Sequence, residues 1–216
     1  INHMFYKVLN IRSLSPSTYI LRLERKKINF KPGQCFNIGL KASGINREYS
    51  IYSGINEPYL EFLIKEVQRG SVSSALRKAN PGEEVDLHGP YGSFVVSPDE
   101  AKHNLFTFIA TGTGIAPFHS FIRTYPNIDY RIINGIRTAK EQYDYGHYNS
   151  SRLTTCISRD DYWNGFKGRV TDYLKTINID STHIYFLCGN QNMIQESYEL
   201  LRVKGVSGNQ IFTEAF

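Results

Sequence analysis

The turn Ala110-Thr111-Gly112-Thr113-Gly114-Ile115-Ala116-Pro117 follows a strand-like run at residues 104–110 and opens an amphipathic stretch at 115–125. Glycines let a backbone approach a pyrophosphate, and the free N–H groups at a helix start attract its charge. Pro117 stands where a dinucleotide fingerprint would carry its third glycine, a position a first helical turn tolerates. The same pattern also describes a β–α turn without a ligand. Further on, Ser158-Arg159 closes a strand-like run at 153–158, with Arg169 ten residues later. A hydroxyl and guanidinium groups at such an edge suit a ribose 2′-phosphate, or else a surface arginine paired with Asp160 or Asp161. A fourth run ends in Cys188-Gly189-Asn190, with Met193 after it. The thiol there is a packing group, or a small polarizable wall against a flat ring.

The first half holds Arg47-Glu48-Tyr49-Ser50 on a strand and Gly70-Ser71-Val72-Ser73-Ser74 before a short helix. Arg47 could neutralise a phosphate, Tyr49 could lie on an aromatic ring, and Ser50 could bond a ring nitrogen. Residues 70–74 offer N–H groups and hydroxyls for a second phosphate contact. A surface arginine beside a core tyrosine fits those four residues as well. Gly89-Pro90-Tyr91-Gly92 reads as a tight turn closing this half.

Other chemistries are absent from the pattern. There is no G-x-S-x-G or H-E-x-x-H, and the six histidines are scattered, so hydrolase and metalloenzyme readings fall away and no metal is expected. Cys35, Cys156 and Cys188 are too few for a four-cysteine zinc or iron–sulfur site. Their odd number and wide spacing point to a reducing compartment.

These residues need elements to carry them. The 216 residues, 41% hydrophobic and 21% charged, allow one or two globular units. Up to residue 100, short β-branched and aromatic runs at 5–14, 19–25, 35–40, 47–53 and 59–66 alternate with turns. That rhythm predicts an antiparallel β-barrel, with one helix at 73–78. Beyond it, strand-like runs at 104–110, 130–135, 153–158 and 183–187 alternate with helical stretches at 115–125, 138–143, 170–176 and 192–203. This predicts an α/β domain on a parallel sheet. The expected division is a β domain at 1–100 and an α/β domain at 101–216, with its boundary near Ser97-Pro98-Asp99-Glu100.

Net charge is +5, from 25 basic and 20 acidic residues spread evenly along the chain. No basic block marks a nucleic-acid surface. The densest cluster, Arg22, Arg25, Lys26, Lys27 and Lys31, reads as a solvated edge that could meet an acidic partner. No run reaches the roughly 18 apolar residues of a membrane span. Without a signal-peptide pattern the chain is expected to be cytoplasmic, and from its His-Met junction Ile1-Asn2-His3-Met4 reads as a cloning remnant with the native start at Met4.

Taken together and in order, the motifs resemble the ferredoxin–NADP reductase family along essentially the whole chain. They are Arg47/Tyr49/Ser50, residues 70–74, 89–92 and 112–117, Ser158-Arg159, Cys188-Gly189 with Met193, and the aromatic C-terminus. The resemblance implies a flavin-binding barrel followed by a nicotinamide-nucleotide domain, with FAD as prosthetic group and NADPH as co-substrate. Arg47 with Gly70, Ser71, Val72 and Ser73 would hold the flavin pyrophosphate. Tyr49 would stack on the isoalloxazine, and Ser50 would bond near N5. Lys65, Glu66 and Val67 would pass the adenosine side. Gly112, Thr113, Gly114 and Pro117 would cradle the nicotinamide cofactor's pyrophosphate. Ser158, Arg159 and Arg169 would select its 2′-phosphate. Cys188, with Gly189 and Met193 beside it, would face the nicotinamide. Phe216 would cover the flavin face, where the family often has Tyr or Trp, and Glu214 would place or relay a proton. The expected activity is electron transfer between NADPH and an acidic carrier, a ferredoxin or flavodoxin, by hydride transfer to flavin N5, in a monomer. The alternatives are an NAD(P)H:flavin or quinone reductase and the reductase component of a multicomponent oxygenase.

Overall fold

The computed structural model describes residues 5–68 and 70–215, so Met4, the residues before it and Phe216 lie outside the described residues. The chain divides into two units. Unit 1 runs to Val96 and also takes in Ala116–Thr124; unit 2 comprises Ser97–Ile115 and the chain from Tyr125 onward.

Unit 1 contains β1 (Phe5–Ser15), β2 (Thr18–Glu24), β3 (Cys35–Leu40), β4 (Asn46–Ser50) and β5 (Tyr59–Lys65). Helix α1 (Ser71–Arg77) and strand β6 (Glu84–Tyr91) follow. The sheet order is β4-β3-β6-β1-β2-β5, and every pairing is antiparallel. Its two edges meet where Ile51 bridges Phe62 and the Tyr52 N–H donates to the Glu61 carbonyl at 2.8 Å. The barrel predicted from strand spacing is therefore present, and closure leaves fewer unpaired edge groups. Tyr6, Leu21, Phe36, Ile38, Phe62 and Leu76 fill its interior. One expectation is corrected here. Residues 89–92 do not simply close the unit, because Glu84–Tyr91 is a full strand between β3 and β1. Val85 and Leu87 supply its apolar alternation, and Asp86 is buried between them, which masks the pattern in the sequence.

Helix α3 (Ala116–Thr124) belongs to unit 1, although it lies within the span expected to be the second domain. The His119 ring stacks on Tyr52, centroids 3.6 Å apart and planes within 4°. His119 Nδ1 lies 2.6 Å from the Tyr52 carbonyl, so Nδ1 carries the proton and donates it. Ser120 Oγ donates to the Ser53 carbonyl at 2.7 Å, and Arg123 Nε donates to Glu57 Oε1 at 2.9 Å. Phe118 and Phe121 pack against Phe94.

Unit 2 contains α2 (Pro98–His103), β7 (Leu105–Thr111), β8 (Asp129–Ile136), β9 (Leu153–Ile157) and β10 (Phe166–Lys167). After these come α4 (Val170–Thr176), β11 (Ile184–Gly189), α5 (Gln191–Val203) and β12 (Ile211–Ala215). The sheet order is β10-β9-β8-β7-β11-β12, all parallel. Ile109, Ile133, Leu174, Leu187, Ile194 and Leu201 form the core on its α4–α5 face. One expectation changes. The helix expected at 138–143 is a single 3-10 turn, Ala139–Glu141, because Glu141 Oε2 turns back to accept the Arg137 N–H and Asp144 adopts φ 49°. The chain before Phe216 is a paired strand, with Phe212 stacked on Phe186.

Of the basic cluster near β2, three members are bound within unit 1. Arg22 pairs with Glu61 and covers the Tyr59 ring, Arg25 donates to the carbonyls of Ile28 and Glu57, and Lys26 donates to that of Phe5.

Candidate functional site

The strand order of unit 2 reverses direction between β7 and β11, with β8, β9 and β10 to one side and β12 to the other. Ligands of open α/β sheets bind in the crevice beyond the carboxyl ends of the strands at such a point. β7 ends in Thr111 and a 3-10 turn, Gly112–Ile115, and β11 ends in Cys188-Gly189. The two ends are packed backbone to backbone. A Cβ on Gly114 would stand 2.2 Å from the Cys188 carbonyl oxygen. Gly189 has φ +135°, and a Cβ there would stand 2.3 Å from Thr111 Oγ1. Only glycine fits either position. The Asn190 N–H donates to Thr111 Oγ1 at 3.0 Å, while Asn190 Oδ1 caps α5 through the N–H groups of Asn192 and Met193. Gly112, by contrast, faces open space. A turn with glycine at 112 and 114, open at Gly112, at a sheet's switch point fits a pyrophosphate.

Other expected residues lie nearby in the same unit. Cys188 is fully buried, and burial pushes its thiol well up, helped by the charge of Glu214. Glu214 is half-buried and directly opposite it on β12. Met193 belongs to the core and accepts from Ser197 Oγ at 3.5 Å. Pro117, by contrast, is buried in α3 and belongs to unit 1.

Ser158, Arg159 and Arg169 are exposed. The N–H groups of Ser158 and Arg159 donate to the carbonyls of Ile136 and Arg137, extending the β8–β9 pairing by two residues. Among the described residues neither arginine has a carboxylate within ion-pair distance. Asp160 instead accepts the Tyr162 N–H at 3.1 Å, and Asp172 accepts the Arg169 N–H at 3.0 Å. Both guanidinium groups keep their donors for a ligand.

In unit 1, β4 carries Arg47, Tyr49 and Ser50 opposite Ile38, Phe36 and Cys35 of β3. The exposed Arg47 guanidinium donates to the Asn46 carbonyl at 2.9 Å. Tyr49 packs on the barrel core, and desolvation pushes its hydroxyl up to about 12 against the pull of Arg47. β5 ends at Lys65, and the loop to α1 is tied from beneath. Ser73 Oγ accepts the Val67 N–H at 3.1 Å, and the buried Tyr19 hydroxyl donates to the Ser73 carbonyl at 2.6 Å. Arg77 holds Glu66 at 2.9 Å and donates to the carbonyls of Pro16 and Ser15. Val67 and Ser71 are exposed, Val72 is buried, and Gly70 gives α1 no side-chain cap. The uncapped turn before α1 fits a phosphate group. Sequence reasoning gave no supporting role to Tyr19, Arg77, Thr111 or Asn190. Of these only Asn190, a cap-forming residue just after Cys-Gly, carried a local signal.

An antiparallel barrel with a phosphate-type loop, followed by a parallel sheet with a nucleotide crevice, defines the architecture of flavin- and nicotinamide-linked oxidoreductases. Residues 6–96 match the family described as oxidoreductase FAD-binding domain, and residues 108–198 match oxidoreductase NAD-binding domain. The chain belongs to the ferredoxin–NADP reductase family. It is similar to the toluate 1,2-dioxygenase electron transfer component of Pseudomonas putida, with 29% identity over 97% of this chain and 66% of that one. To the flavodoxin/ferredoxin–NADP reductase of Escherichia coli it is 25% identical, over 88% of this chain and 86% of that one. It shares its fold with a Neisseria gonorrhoeae ferredoxin NADP+ reductase solved with bound FAD and NADP. That likeness has a TM-score of 0.88 and 21% identity, and covers 100% of this chain and 99% of the other. No helix among the described residues is long and apolar enough to cross a membrane.

Proposed function

We propose that this chain takes electrons from NADPH through bound FAD and delivers them to a ferredoxin or flavodoxin. The observation that carries the NADPH assignment is the exposed pair Arg159 and Arg169, free of carboxylate partners beside the Ser158 hydroxyl. When bound, the nicotinamide and flavin supply hydride transfer and its conversion to single-electron delivery. The protein's part is to bind and orient. Arg47 and the residues 70–73 hold the flavin pyrophosphate, with Lys65, Glu66 and Val67 along its adenosine side. Tyr49 gives the isoalloxazine a flat wall, and Ser50 bonds near N5. Gly112, Thr113 and Gly114 hold the nucleotide pyrophosphate. Cys188 serves as a protonated, non-nucleophilic wall, since its thiol is shifted up. Glu214 would place or relay a proton near that strand end, and Phe216, outside the described residues, would cover the flavin.

Replacing Arg159 and Arg169 by alanine should raise KM for NADPH by about a hundredfold, at roughly 1.5 kcal/mol for each charged contact. KM for NADH should hold. Equal losses with both nucleotides would sink the 2′-phosphate assignment.

The relatives named as flavodoxin/ferredoxin–NADP reductases, and the one named as an electron transfer component, support a protein carrier as acceptor. The likeness to the toluate dioxygenase component favours a second reading, an electron-input protein for an oxygenase. Steady-state rates with NADPH against ferredoxin, flavodoxin, free flavin and quinone at two salt concentrations separate these. A carrier protein should give the highest kcat/KM, falling with salt if charge steers the encounter. Free flavin as the best acceptor would overturn the carrier assignment.

A further inference from the structure

We propose that the amino-terminal edge of the unit 2 sheet binds a small monocarboxylate with an apolar body. A cavity of about 270 Å³ opens there, at the opposite end of the strands from the nucleotide crevice. Thr107 of β7, Arg131 of β8, Thr154 of β9 and Tyr185 of β11 line it, each near the start of its strand. Its size lies just below the roughly 300 Å³ at which pockets begin to accept drug-sized ligands.

Among the charged groups of this cavity, the hydrogen-bonding capacity left over is cationic, beside the neutral side chains of Thr154 and Asn178. Arg152 is matched by Asp129 at 3.0 Å. Asp180 Oδ1 accepts the N–H and hydroxyl of Thr182 at 2.9 and 2.6 Å, and Asp180 Oδ2 faces His183 Nε2 at 3.5 Å. The buried pair Thr107 Oγ1 and His183 Nδ1 bond each other at 2.9 Å. Arg131, an exposed residue, makes no hydrogen bond or direct ion pair among the described residues, although its charge acts on Asp180 and Tyr185. A guanidinium offers five donors in a planar fork, which a carboxylate matches with two oxygens.

The remaining walls set the rest of the ligand. Tyr173, Ile177 and Ile179 form an apolar side, with the Tyr173 ring fixed edge-on to Phe166 at 5.0 Å. The Asp180 carboxylate at the rim disfavours a dianion. One negative charge with an apolar body satisfies both surfaces. The proposal does not depend on the flavin or nucleotide assignments.

Calorimetry and amide chemical-shift titration of the intact protein test it, with phenylacetate as probe. Phenylacetate should bind saturably and shift the amides of β8 and of the loop at 177–180. Acetate, which lacks the body, phenylacetamide, which lacks the charge, and inorganic phosphate should each bind at least about tenfold more weakly. Arg131→Gln should lose about tenfold in phenylacetate affinity with its melting temperature unchanged, and Arg131→Lys should retain part of it. Saturating NADP+ should leave phenylacetate affinity unchanged. No saturable binding, equal binding by Arg131→Gln, tighter binding of phosphate, or displacement by NADP+ would each overturn the proposal.

Discussion

Two glycines two residues apart carry different burdens. Gly114 lies against the end of β11, where a methyl group would stand 2.2 Å from a carbonyl oxygen that cannot retreat without breaking the β7–β11 contact. Gly112 has φ +56° but open space around it. Gly112→Ala should therefore cost about 1 kcal/mol, the left-handed penalty alone, and leave a folded protein. Gly114→Ala should cost about 3 kcal/mol or more and abolish NADP+ binding, because the turn must move off the crevice. Urea midpoints and NADP+ titrations of the two variants check this, and similar costs at both positions would contradict it. The two residues look alike in sequence. What distinguishes them is a strand some seventy residues away, which no local pattern announces.

At the level of elements, the legible parts were those with a strong local period. β3 and α4 have the bounds their sequences suggest, since an uninterrupted run and a clean helical stretch need no tertiary help. β6 was obscured by a buried aspartate in its alternation and by Gly89-Pro90 at its end. The stretch 138–143 has helix formers, yet a side-chain bond back to Arg137 and the left-handed Asp144 stop it after one turn. The candidate site follows the same division. Its turn, its arginines and its Arg-Glu-Tyr-Ser strand were readable, while the supports beneath them, Tyr19 and Arg77, reach the loop from more than fifty residues or across a helix. Helix α3 is tied most tightly at His119, which stacks on one group of residue 52 and donates to another. His119→Ala should cost about 2–3 kcal/mol, from a lost buried hydrogen bond and ring contact. A urea denaturation curve reads it, and a change below about 0.5 kcal/mol would show the stack to be incidental.

The whole molecule should respond to alkali. Burial pushes the Cys156 thiol up from 9.0 to about 12, and burial likewise raises the Tyr49 and Tyr185 hydroxyls from 10.0 to about 12. Above pH 9 the unfolded chain loses protons that the native state keeps, so stability falls as pH rises. The contribution is complete below pH 9 and lost by about pH 12. Urea midpoints measured from pH 8 to 12 should be level at first and then decline, and a flat profile to pH 12 would contradict the shifts.

The placement of α3 bears on how such a protein can be cut and recombined. The chain leaves unit 1 after Val96, returns to it at Ala116 and leaves again after Thr124. Severing the gene at the obvious junction yields a barrel without Phe118, Phe121, His119 and Ser120, its Tyr52 ring and Phe94 exposed where that helix lay. The other fragment keeps a helix whose apolar side belongs elsewhere. Grafting a foreign nucleotide half onto this barrel therefore requires carrying over nine residues from the middle of the recipient's sequence, Ala116–Thr124. The two halves are not interchangeable cassettes, and a chimera respecting linear order alone should misfold.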